Sequence, residues 1–585
     1  MTLRRPAMRC LILPSLLALA VACGGGPPPG QPRTRPTLPD RSSEEDERRA
    51  QGVRLPRYPG DLARIRPLTR AERSRFTETA RHADVVQFID SLKLLGARMH
   101  VGSLGRSTQG RDIPYVVASR PLVTTPAQAK RLHRPIVFVQ GNIHGGEVEG
   151  KEALLAIVRD LIVERGPNVL DSIVLVAVPL YNPDGNERVG PQERNRREQN
   201  GPAVVGERAN ADTLDLNRDY VKAEAPETRG ALAFFAEWEP DLFVDLHTTD
   251  GSFHGFALTY APPLNPASIV SGPYARDTLL ATVRRRMRAD YRIETFDYGN
   301  FVHQDSLERG WYTYDHRPRF GTNYYGLRGR PAVLVEAYSH DPFERRVAAT
   351  YAFLQELLSL VAEEGDELLE AVAEAERRTT GWGTLPASSP RLPVRAELVT
   401  VRREPVRAEI MERAADSAVT EPGVPRGLRR TGRYRTATIP IYDRFGGTLF
   451  RTIPHAYAFG ADQAAAAERL HRHGLFVEKL DVPLELELEQ FTIDSVVRGA
   501  RAFQKHQEVR LEGTWRREKR TLPPGTFVVR TGQPLAVLAL YLLEPESDDG
   551  LVTWNLFDPA LRIGGAFPVV RVMQAIVGGI SEAKR

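Results

Sequence analysis

The sequence predicts an α/β protein in which helices cover both faces of a largely parallel sheet, followed by a smaller β-rich region. Two observations predict the sheet. Apolar runs alternate with an amphipathic helical stretch between residues 135 and 178, and further apolar runs carry His247 and Glu336. Strand, crossover helix and strand make a parallel pair, normally buried on both faces. The third observation is a change, after Glu376, to short strand-like stretches separated by Pro and Gly.

Length and composition indicate an ordinary globular protein with more than one core. The chain has 585 residues, of which 42% are hydrophobic and 26% charged. Single cores stop growing at roughly 250–300 residues, so we expect two structured domains. The formal charge of +5 comes from dispersed arginines rather than from one basic block, and nothing in it indicates a nucleic-acid partner.

The first 23 residues, MTLRRPAMRCLILPSLLALAVAC, have the pattern of an export signal. Arginines precede an apolar run that is too short to span a membrane and that ends in small residues. The ending LALAVAC resembles a bacterial lipobox, whose cysteine becomes the lipidated first residue of the mature chain. We therefore expect a signal peptide at residues 1–22 and lipidation of Cys23; the alternative is a plain signal and a soluble secreted protein. Because Cys10 leaves with the signal, no thiol remains for a disulfide.

Residues 23–60 read as a flexible tether, since Gly, Pro, Arg and Glu leave too few apolar residues for a core. Helical spacing then begins in AERSRFTETARHADVVQFIDSLKLLG, residues 71–96. Strands are predicted in IPYVVASR, PIVFVQGN and DSIVLVAVPLYNPDG, with an amphipathic helix in EGKEALLAIVRDLIVE between the last two. Ligand sites in such sheets lie beyond the carboxyl ends of strands.

His144 and Glu147 lie just past such a strand end, in GNIHGGEVEG. This HxxE spacing alone is weak, because a histidine that caps a turn and a glutamate at a helix N-terminus explain it equally well. A second apolar strand, in EPDLFVDLHTTDG, ends at His247. Two histidines and a glutamate at one sheet edge form the ligand set of a catalytic zinc with a position left open for water. The sequence therefore predicts one zinc ion bound by these three residues.

These motifs together resemble those of the carboxypeptidase A family of zinc metallocarboxypeptidases, which combine HxxE, a later strand-end histidine, an NR pair and a late glutamate. The resemblance runs from about Thr69 to about Glu376 and begins at GRSTQGRDIPYVV. It implies a mixed, largely parallel twisted sheet, a catalytic domain at residues 61–378, and His144, Glu147 and His247 as zinc ligands.

The stretch ERANADTLDLNRDY is similar to the substrate-binding segment of that family. The resemblance implies that Asn217 and Arg218 grip the terminal carboxylate of a substrate, which suits a planar guanidinium. It also implies that Arg208 stabilises the oxyanion and that Asp215 accepts a hydrogen bond from the zinc-bound imidazole of His144. Rivals of Arg208 in the preceding loop are Arg194, Arg196 and Arg197. The chain departs from the family at Asp219 and Tyr220, and an acidic residue there can compete for Arg218.

Glu336 follows a nearly continuous apolar run in GRPAVLVEAYSHDPFERR, where a carboxylate is costly to bury unless it is paired or functional. It resembles the catalytic glutamate, the general base and acid of hydrolysis. The alternatives are a salt bridge to Arg330 or Arg345, with Glu149 or Glu152 as the base. A tyrosine usually lines this pocket; Tyr314 is our candidate, and the same loop also offers Tyr312, Tyr324 and Tyr325.

Residues 379–585 are expected to form a β-rich accessory domain of unknown role, with one or two helices. The clear helix is DQAAAAERLHRHGLFVEKL, which Gly474 ends. We interpret His471 and His473 as surface residues of this helix and find no metal-ligand spacing in this region. The plainest expectation is that the domain docks on the catalytic domain or narrows substrate access.

Three functions are compatible with these residues. The first is a zinc carboxypeptidase that removes C-terminal residues of peptides outside the cytoplasm. The second is a related zinc amidase acting on cell-wall muropeptides or another amide. The third, an inactive binding lipoprotein, is the least expected because ligands, carboxylate clamp and base occur together. The expected partners are peptide-like substrates and, through lipidated Cys23, a bacterial membrane, while the oligomeric state is left open.

Overall fold

The computed structural model describes residues 67–304, 306–384, 390–399, 402–415, 424 and 427–583. The predicted signal, the tether and Cys23 lie outside these residues. The strands, in chain order, are β1 His100–Arg106, β2 Asp112–Ala118, β3 Ile136–Gly141, β4 Val174–Val178, β5 Gly190–Pro191, β6 Val204–Val205, β7 Leu242–Thr248, β8 Leu258–Ala261, β9 Thr295–Asp297, β10 Asn300–Phe301, β11 Trp311–Tyr312, β12 Ala332–Ala337, β13 Arg391–Val399, β14 Arg402–Arg413, β15 Leu428–Tyr442, β16 Arg444–Thr452, β17 Ala456–Phe459, β18 Glu478–Leu480, β19 Leu484–Arg498, β20 Val509–Leu522, β21 Phe527–Arg530, β22 Val569–Val572 and β23 Ile580–Glu582.

The helices vary from single turns to six turns. In chain order they are α1 Arg70–Arg73, α2 His82–Leu94, α3 Pro126–Arg131, α4 Glu149–Val163, α5 Pro183–Glu187, α6 Gln192–Asn195, α7 Pro226–Trp238, α8 Ser271–Pro273, α9 Ala281–Tyr291, α10 Gly321–Leu327, α11 Phe343–Glu363, α12 Gly365–Gly381, α13 Ala464–Arg472 and α14 Ala536–Leu543. A π-helix, Tyr274–Leu280, joins α8 to α9, and a short 3-10 turn spans Leu216–Arg218. Among the described residues no helix is both long enough and apolar enough to cross a bilayer.

An eight-stranded sheet lies at the centre of the first part of the chain, in the order β1-β2-β4-β3-β7-β12-β8-β9. The middle strands β4, β3, β7 and β12 are parallel neighbours, whereas β1, β2 and β8 join antiparallel. Strands β3, β7 and β12 are buried along their whole length, as expected for parallel strands covered on both faces. The predicted mixed α/β class is confirmed.

The stretch of helical spacing at residues 71–96 forms two helices, α1 and α2, with a break between them. Helix α1 ends at Arg73, and Arg75 and Phe76 have left-handed φ values of 55° and 60°. The buried carboxylate of Glu152 accepts hydrogen bonds from the Ala80 N–H and the Thr79 hydroxyl, at 2.5 and 3.0 Å. These hydrogen bonds stabilise the non-helical segment between α1 and α2. The apolar spacing of the sequence continues through this segment and therefore does not reveal the break.

The carboxyl part of the chain contains a seven-stranded antiparallel sheet in the order β20-β19-β22-β17-β21-β18-β23. Two helices, α13 and α14, accompany it among the described residues. Helix α13 packs on α7 and α14 packs on α10, and one continuous hydrophobic cluster includes buried residues of all four helices. The β-rich carboxyl region is thus confirmed, and its apolar face is shared with the central sheet's helices.

His473 is fully buried, so its interpretation as a surface residue is wrong. Its Nε2–H donates to the Val221 carbonyl at 3.1 Å, and the Tyr324 hydroxyl donates to Nδ1 at 2.7 Å. Both partners belong to the first part of the chain, which a helix periodicity in α13 cannot reveal. Burial and the nearby guanidinium groups lower the pKa of His473 to about 3.

Replacing His473 with Gln preserves a donor and an acceptor but removes the titrating ring. Because the folded chain binds this proton more weakly than the unfolded chain, stability is fully present above about pH 6.5 and falls as pH decreases toward 3. The measurement is the free energy of unfolding in urea at several pH values between about 6 and 4. Its slope against pH should be smaller in the variant than in the wild type by about 1.4 kcal/mol per pH unit. The half-buried His471, replaced by Gln, is the matched control; identical slopes in wild type and the His473 variant would contradict the prediction.

Candidate metal centre

The turn between β3 and α4 is built to present two side chains at a strand end. Asn142, at a left-handed φ of 61°, donates its side-chain amide to the carbonyls of His144, Gly145 and Glu147. A Cβ atom on Gly145 would lie 2.3 Å from the carbonyl carbon of Gly185, so only glycine fits there. The glycines of GNIHGGEVEG therefore let this turn pack closely while it presents His144 and Glu147.

His144, Glu147 and His247 converge, with one potential ligand atom from each residue lying within 4.8 Å of the others. Nδ1 of His144 lies 2.9 Å from Glu147 Oε1, and Nδ1 of His247 lies 3.0 Å from Glu147 Oε2. All three side chains are buried. The two strand ends thus bring together the residues that the sequence named as zinc ligands.

Carboxylates hold the other nitrogen of each imidazole. Nε2 of His144 lies 3.0 Å from Asp215 Oδ1, and Nε2 of His247 lies 2.9 Å from Asp245 Oδ2. Asp215 accepts a hydrogen bond from Nε2–H of His144, and the Asp245 carboxylate lies close to Nε2 of His247, so both Nδ1 lone pairs can face the shared centre with Glu147. Outer carboxylates orient histidine ligands in this way in metal sites generally. The donor set therefore fits a tetrahedral zinc with one open position.

The charges of the site also fit a cation. Burial opposes the charge of Glu147, but His144, Arg196 and His247 outweigh it and hold the pKa of this carboxyl well below its ordinary value. The pKa of Asp215 is likewise low because His144 and Arg208 outweigh its burial. Burial lowers the pKa of His247, yet Asp245 and Glu147 raise it well above its ordinary value. Carboxylates that stay ionised while buried favour a positive charge between them and the imidazoles, and a divalent cation can supply that charge.

Two arginines reach Glu147 from the segment between β4 and α7: Arg196 directly follows α6, and Arg208 follows β6. Arg196 Nη1 donates to Glu147 Oε1 at 3.1 Å and its Nη2 donates to the carbonyls of Thr248 and Thr249, so it is buried behind the triad. Arg208 lies in front, donating to Asp215 Oδ2 at 3.0 Å and lining the cavity. Of the rivals, Arg194 and Arg197 are exposed. The structure thus separates a buried arginine from one that faces the pocket, which the sequence did not distinguish.

Arg218 faces the same cavity and Asp219 does not compete for it. Asp219 is fully buried, where it binds Lys222 Nζ at 2.7 Å and accepts the backbone N–H of Ala225 at 2.8 Å. The guanidinium of Arg218 stacks 3.8 Å above the Phe320 ring, and its Nη1 donates to the Asn217 carbonyl. The expected competition is therefore wrong, because Lys222, three residues away, already neutralises the aspartate.

Glu336 is buried on β12, in register with His247 of β7. The cations considered as its partners bind elsewhere: Arg330 pairs with Glu376 at 2.6 Å and Arg345 pairs with Asp341 at 3.0 Å. Burial, together with the neighbouring carboxylates of Glu147 and Asp250, raises the pKa of Glu336 to about 8 despite the opposing effect of His247. The carboxyl thus has a high affinity for a proton.

The other carboxylates and tyrosines considered for the site have structural surroundings. Glu149 pairs with Arg346 and Thr248, and Glu152 holds the segment between α1 and α2. Tyr324 and Tyr325 are fully buried in the hydrophobic cluster, and Tyr312 stacks on Tyr442. Tyr314 lines the cavity, and so does Tyr298, whose ring centre lies 5.7 Å from that of Tyr314. Tyr298 belongs to no motif, so the sequence gives no signal that it lies in the cavity.

One cavity brings the triad, the arginines and Glu336 together. It encloses about 520 Å³, part of it open to solvent. Its walls are formed by His144, Glu147, Arg208, Asn217, Arg218, His247, Thr248, Asp250, Tyr298, Tyr314, Phe320, Thr322, Leu334 and Glu336.

Residues 85–287 match the family model Peptidase_M14, described as zinc carboxypeptidase. The chain carries a zinc carboxypeptidase domain. The chain is 22% identical to Carboxypeptidase 2 of Trichophyton tonsurans, over 80% of this chain and 81% of the relative. It is 32% identical to Carboxypeptidase Z of Mus musculus, over 24% of this chain and 21% of the relative. The first similarity covers more of the chain than residues 61–378 alone.

Solved carboxypeptidase structures also align with about half of the chain. A metallo-carboxypeptidase from Burkholderia cenocepacia is 18% identical and covers 48% of this chain and 70% of its own, with a TM-score of 0.35. Carboxypeptidase A from Helicoverpa armigera is 16% identical and covers 50% of this chain and 75% of its own, with a TM-score of 0.36. The family match of residues 85–287 and the His144, Glu147 and His247 group together indicate a peptide hydrolase that uses zinc.

Replacing His247 with Ala removes one ligand and one of the two imidazoles that flank Glu147. We expect the purified variant to lose stoichiometric zinc, because two remaining ligands and an open position do not complete a tetrahedral site. Elemental analysis after dialysis measures this. His303→Ala, at an exposed histidine outside the cavity, is the control and should retain one zinc per chain. Zinc content unchanged by His247→Ala would remove these residues from the metal site.

Proposed function

We propose that the protein removes C-terminal residues from peptides, using Glu336 as the general base and acid and Arg218 as the clamp for the terminal carboxylate. The observation that carries this proposal is the placement of Arg218 in one cavity with the metal triad and Glu336. With Asp219 bound to Lys222, the Arg218 guanidinium is available to a ligand carboxylate. Two parallel N–H bonds to such a group are strong and favour a substrate that ends there.

Each residue of the cavity then has a defined task. Zinc, when bound by the triad, supplies a Lewis acid that polarises a carbonyl group and makes water more acidic. Glu336 accepts the proton of the attacking water and delivers it to the leaving nitrogen, for which its raised proton affinity is suited. Arg208 donates hydrogen bonds to the oxygen on which charge develops. Asn217 assists Arg218 at the carboxylate, and Tyr314 lines the substrate side of the pocket.

Asp215 links these tasks in the proposal. Its carboxylate binds Nε2 of His144 and the Arg208 guanidinium, and it lies 3.9 Å from Arg218. It thus fixes the ring that binds the metal and restrains both arginines of the substrate side. This arrangement supports action at a peptide terminus over action on muropeptides or another amide, because Arg218, held beside Asp215 in the cavity of the metal triad, suits a terminal carboxylate.

We also propose the cellular setting from the amino-terminal pattern. Export through residues 1–22 and lipidation of Cys23 would place the enzyme outside the cytoplasm, tethered to a membrane by residues 23–60. Residues 61–378 would then form the catalytic domain and residues 379–585 the accessory domain that packs against it.

Glu336→Gln should preserve the zinc content and abolish most of the hydrolysis, because the amide cannot accept a proton. We expect kcat to fall on the order of 10²–10⁴-fold or more. The measurement is turnover of a free-acid peptide alongside elemental analysis of the same sample. The matched control is Glu376→Gln, which removes a carboxylate paired with Arg330 outside the cavity and should preserve turnover. Normal turnover in Glu336→Gln would assign the base to another group.

Arg218→Met should impair cleavage of free-acid peptides far more than cleavage of the same peptides with an amidated C-terminus. An amide leaves the desolvated guanidinium without its ionic partner, so the wild-type enzyme should prefer the acid. The loss should appear in kcat/KM, and Arg218→Lys should recover little because a point ammonium cannot reproduce the two parallel bonds. If the unmodified enzyme cleaves acid and amide peptides equally, Arg218 is not a carboxylate clamp and the amidase alternative is favoured.

A further inference from the structure

A hairpin tip from the carboxyl part of the chain reaches the metal centre. Between β19 and β20 the backbone N–H of Phe503 donates to the His506 carbonyl at 2.7 Å, and the N–H of His506 donates back at 3.0 Å. Gln504 and Lys505 form the two-residue tip between them. Oε1 of Gln504 accepts the backbone N–H of Asp215 at 2.9 Å, across a sequence separation of 289 residues.

Asp215 is the residue through which this contact can act. Its carboxylate binds His144 Nε2 and Arg208 Nε at 3.0 Å each and accepts the Asn217 N–H at 2.9 Å. A displacement of the Asp215 backbone would therefore move a metal ligand and a pocket-lining arginine together. The bond from Gln504 holds that backbone from outside the catalytic part.

The two tip residues are not glycines, although both have backbone conformations that favour glycine. Gln504 and Lys505 have left-handed φ values of 50° and 67°. Two-residue hairpins with both residues in this region strongly favour Asn and Gly, because other side chains are strained there. Backbone strain of this kind is concentrated at functional sites. A glutamine at the first position is thus best explained by what its side chain contacts.

Further contacts fix the tip against the same wall of the pocket. His506 Nε2 lies 3.1 Å from both carboxylate oxygens of Glu224. Glu508, two residues later, accepts a hydrogen bond from Arg319 Nη1 at 2.5 Å, and Arg319 directly precedes the Phe320 ring on which Arg218 stacks. Contacts of His506 and Glu508 therefore anchor the chain that directly follows Gln504 to the catalytic part.

We propose that Gln504 is a positioning residue of the hydrolase: its hydrogen bond to Asp215 holds His144 and Arg208 in the geometry that retains zinc and stabilises the oxyanion. The inference rests on the proposed function, since it assigns Asp215 the same role. Gln504 itself contacts neither substrate nor metal. In consequence, the carboxyl part of the chain completes the metal centre.

The test compares two glycine substitutions in the full zinc-loaded chain. Gln504→Gly and Lys505→Gly each place glycine at a left-handed position of the same turn, but only the first removes the bond to Asp215. We expect Gln504→Gly to speed the transfer of zinc to a colorimetric chelator and to lower kcat, each on the order of tenfold, with little change in KM. Lys505→Gly should match the wild type in both.

Thermal unfolding and hydrogen exchange complete the comparison. Similar melting temperatures of the two variants would show that the turn is equally folded, and faster exchange of the Asp215 amide in Gln504→Gly alone would locate the effect. Equal zinc release by both variants and the wild type would overturn the inference, as would equal acceleration by both. Zinc release does not require turnover, so an inactive wild type would contradict the proposed function while leaving the role of Gln504 measurable.

Discussion

A buried carboxylate, that of Glu147, is the constraint around which the rest of the site is arranged. It carries its charge in an almost fully buried position, so that charge must be balanced by groups that the fold supplies. Imidazoles of His144 and His247 lie on its two oxygens, and Arg196 and Arg208 approach from behind and in front. A cluster of this kind needs several strand ends to meet, and the parallel centre of the sheet provides them.

The balance of charge extends outward in a second layer that reaches the carboxyl part of the chain. Asp215 and Asp245 hold the imidazoles, and Arg319, beside the pocket, binds the buried Asp549 with its N–H groups at 2.7 to 3.0 Å. Strand β14 also contacts the loop that follows β7, where the Gly255 N–H donates to the Arg407 carbonyl at 3.0 Å. Residues of the carboxyl part of the chain thus bind residues near the cavity, although all three metal ligands belong to the part with the central sheet.

Much of the fold and the metal triad could be predicted because local patterns encode them. The apolar runs of β3, β7 and β12 have the length and flanks of buried strands, and strand ends converge by topology alone. What failed depends on contacts that local patterns do not encode: Lys222 neutralises Asp219 inside a loop, and Tyr324, 149 residues from His473, binds the ring of that buried histidine. Gln504 has no local signature except its place at a turn where glycine is easier, which only the backbone angles reveal.

The shared apolar surface between α7, α10, α13 and α14 has a consequence for how the chain is made. Gln504 is synthesised 289 residues after Asp215, an interval of about 15 to 60 seconds at ordinary translation rates. During that interval the central sheet can form, but the outer surfaces of α7 and α10 are bare and exposed to aggregation or to chaperones. These surfaces of a nascent molecule are therefore covered only after the last third of the chain has been synthesised.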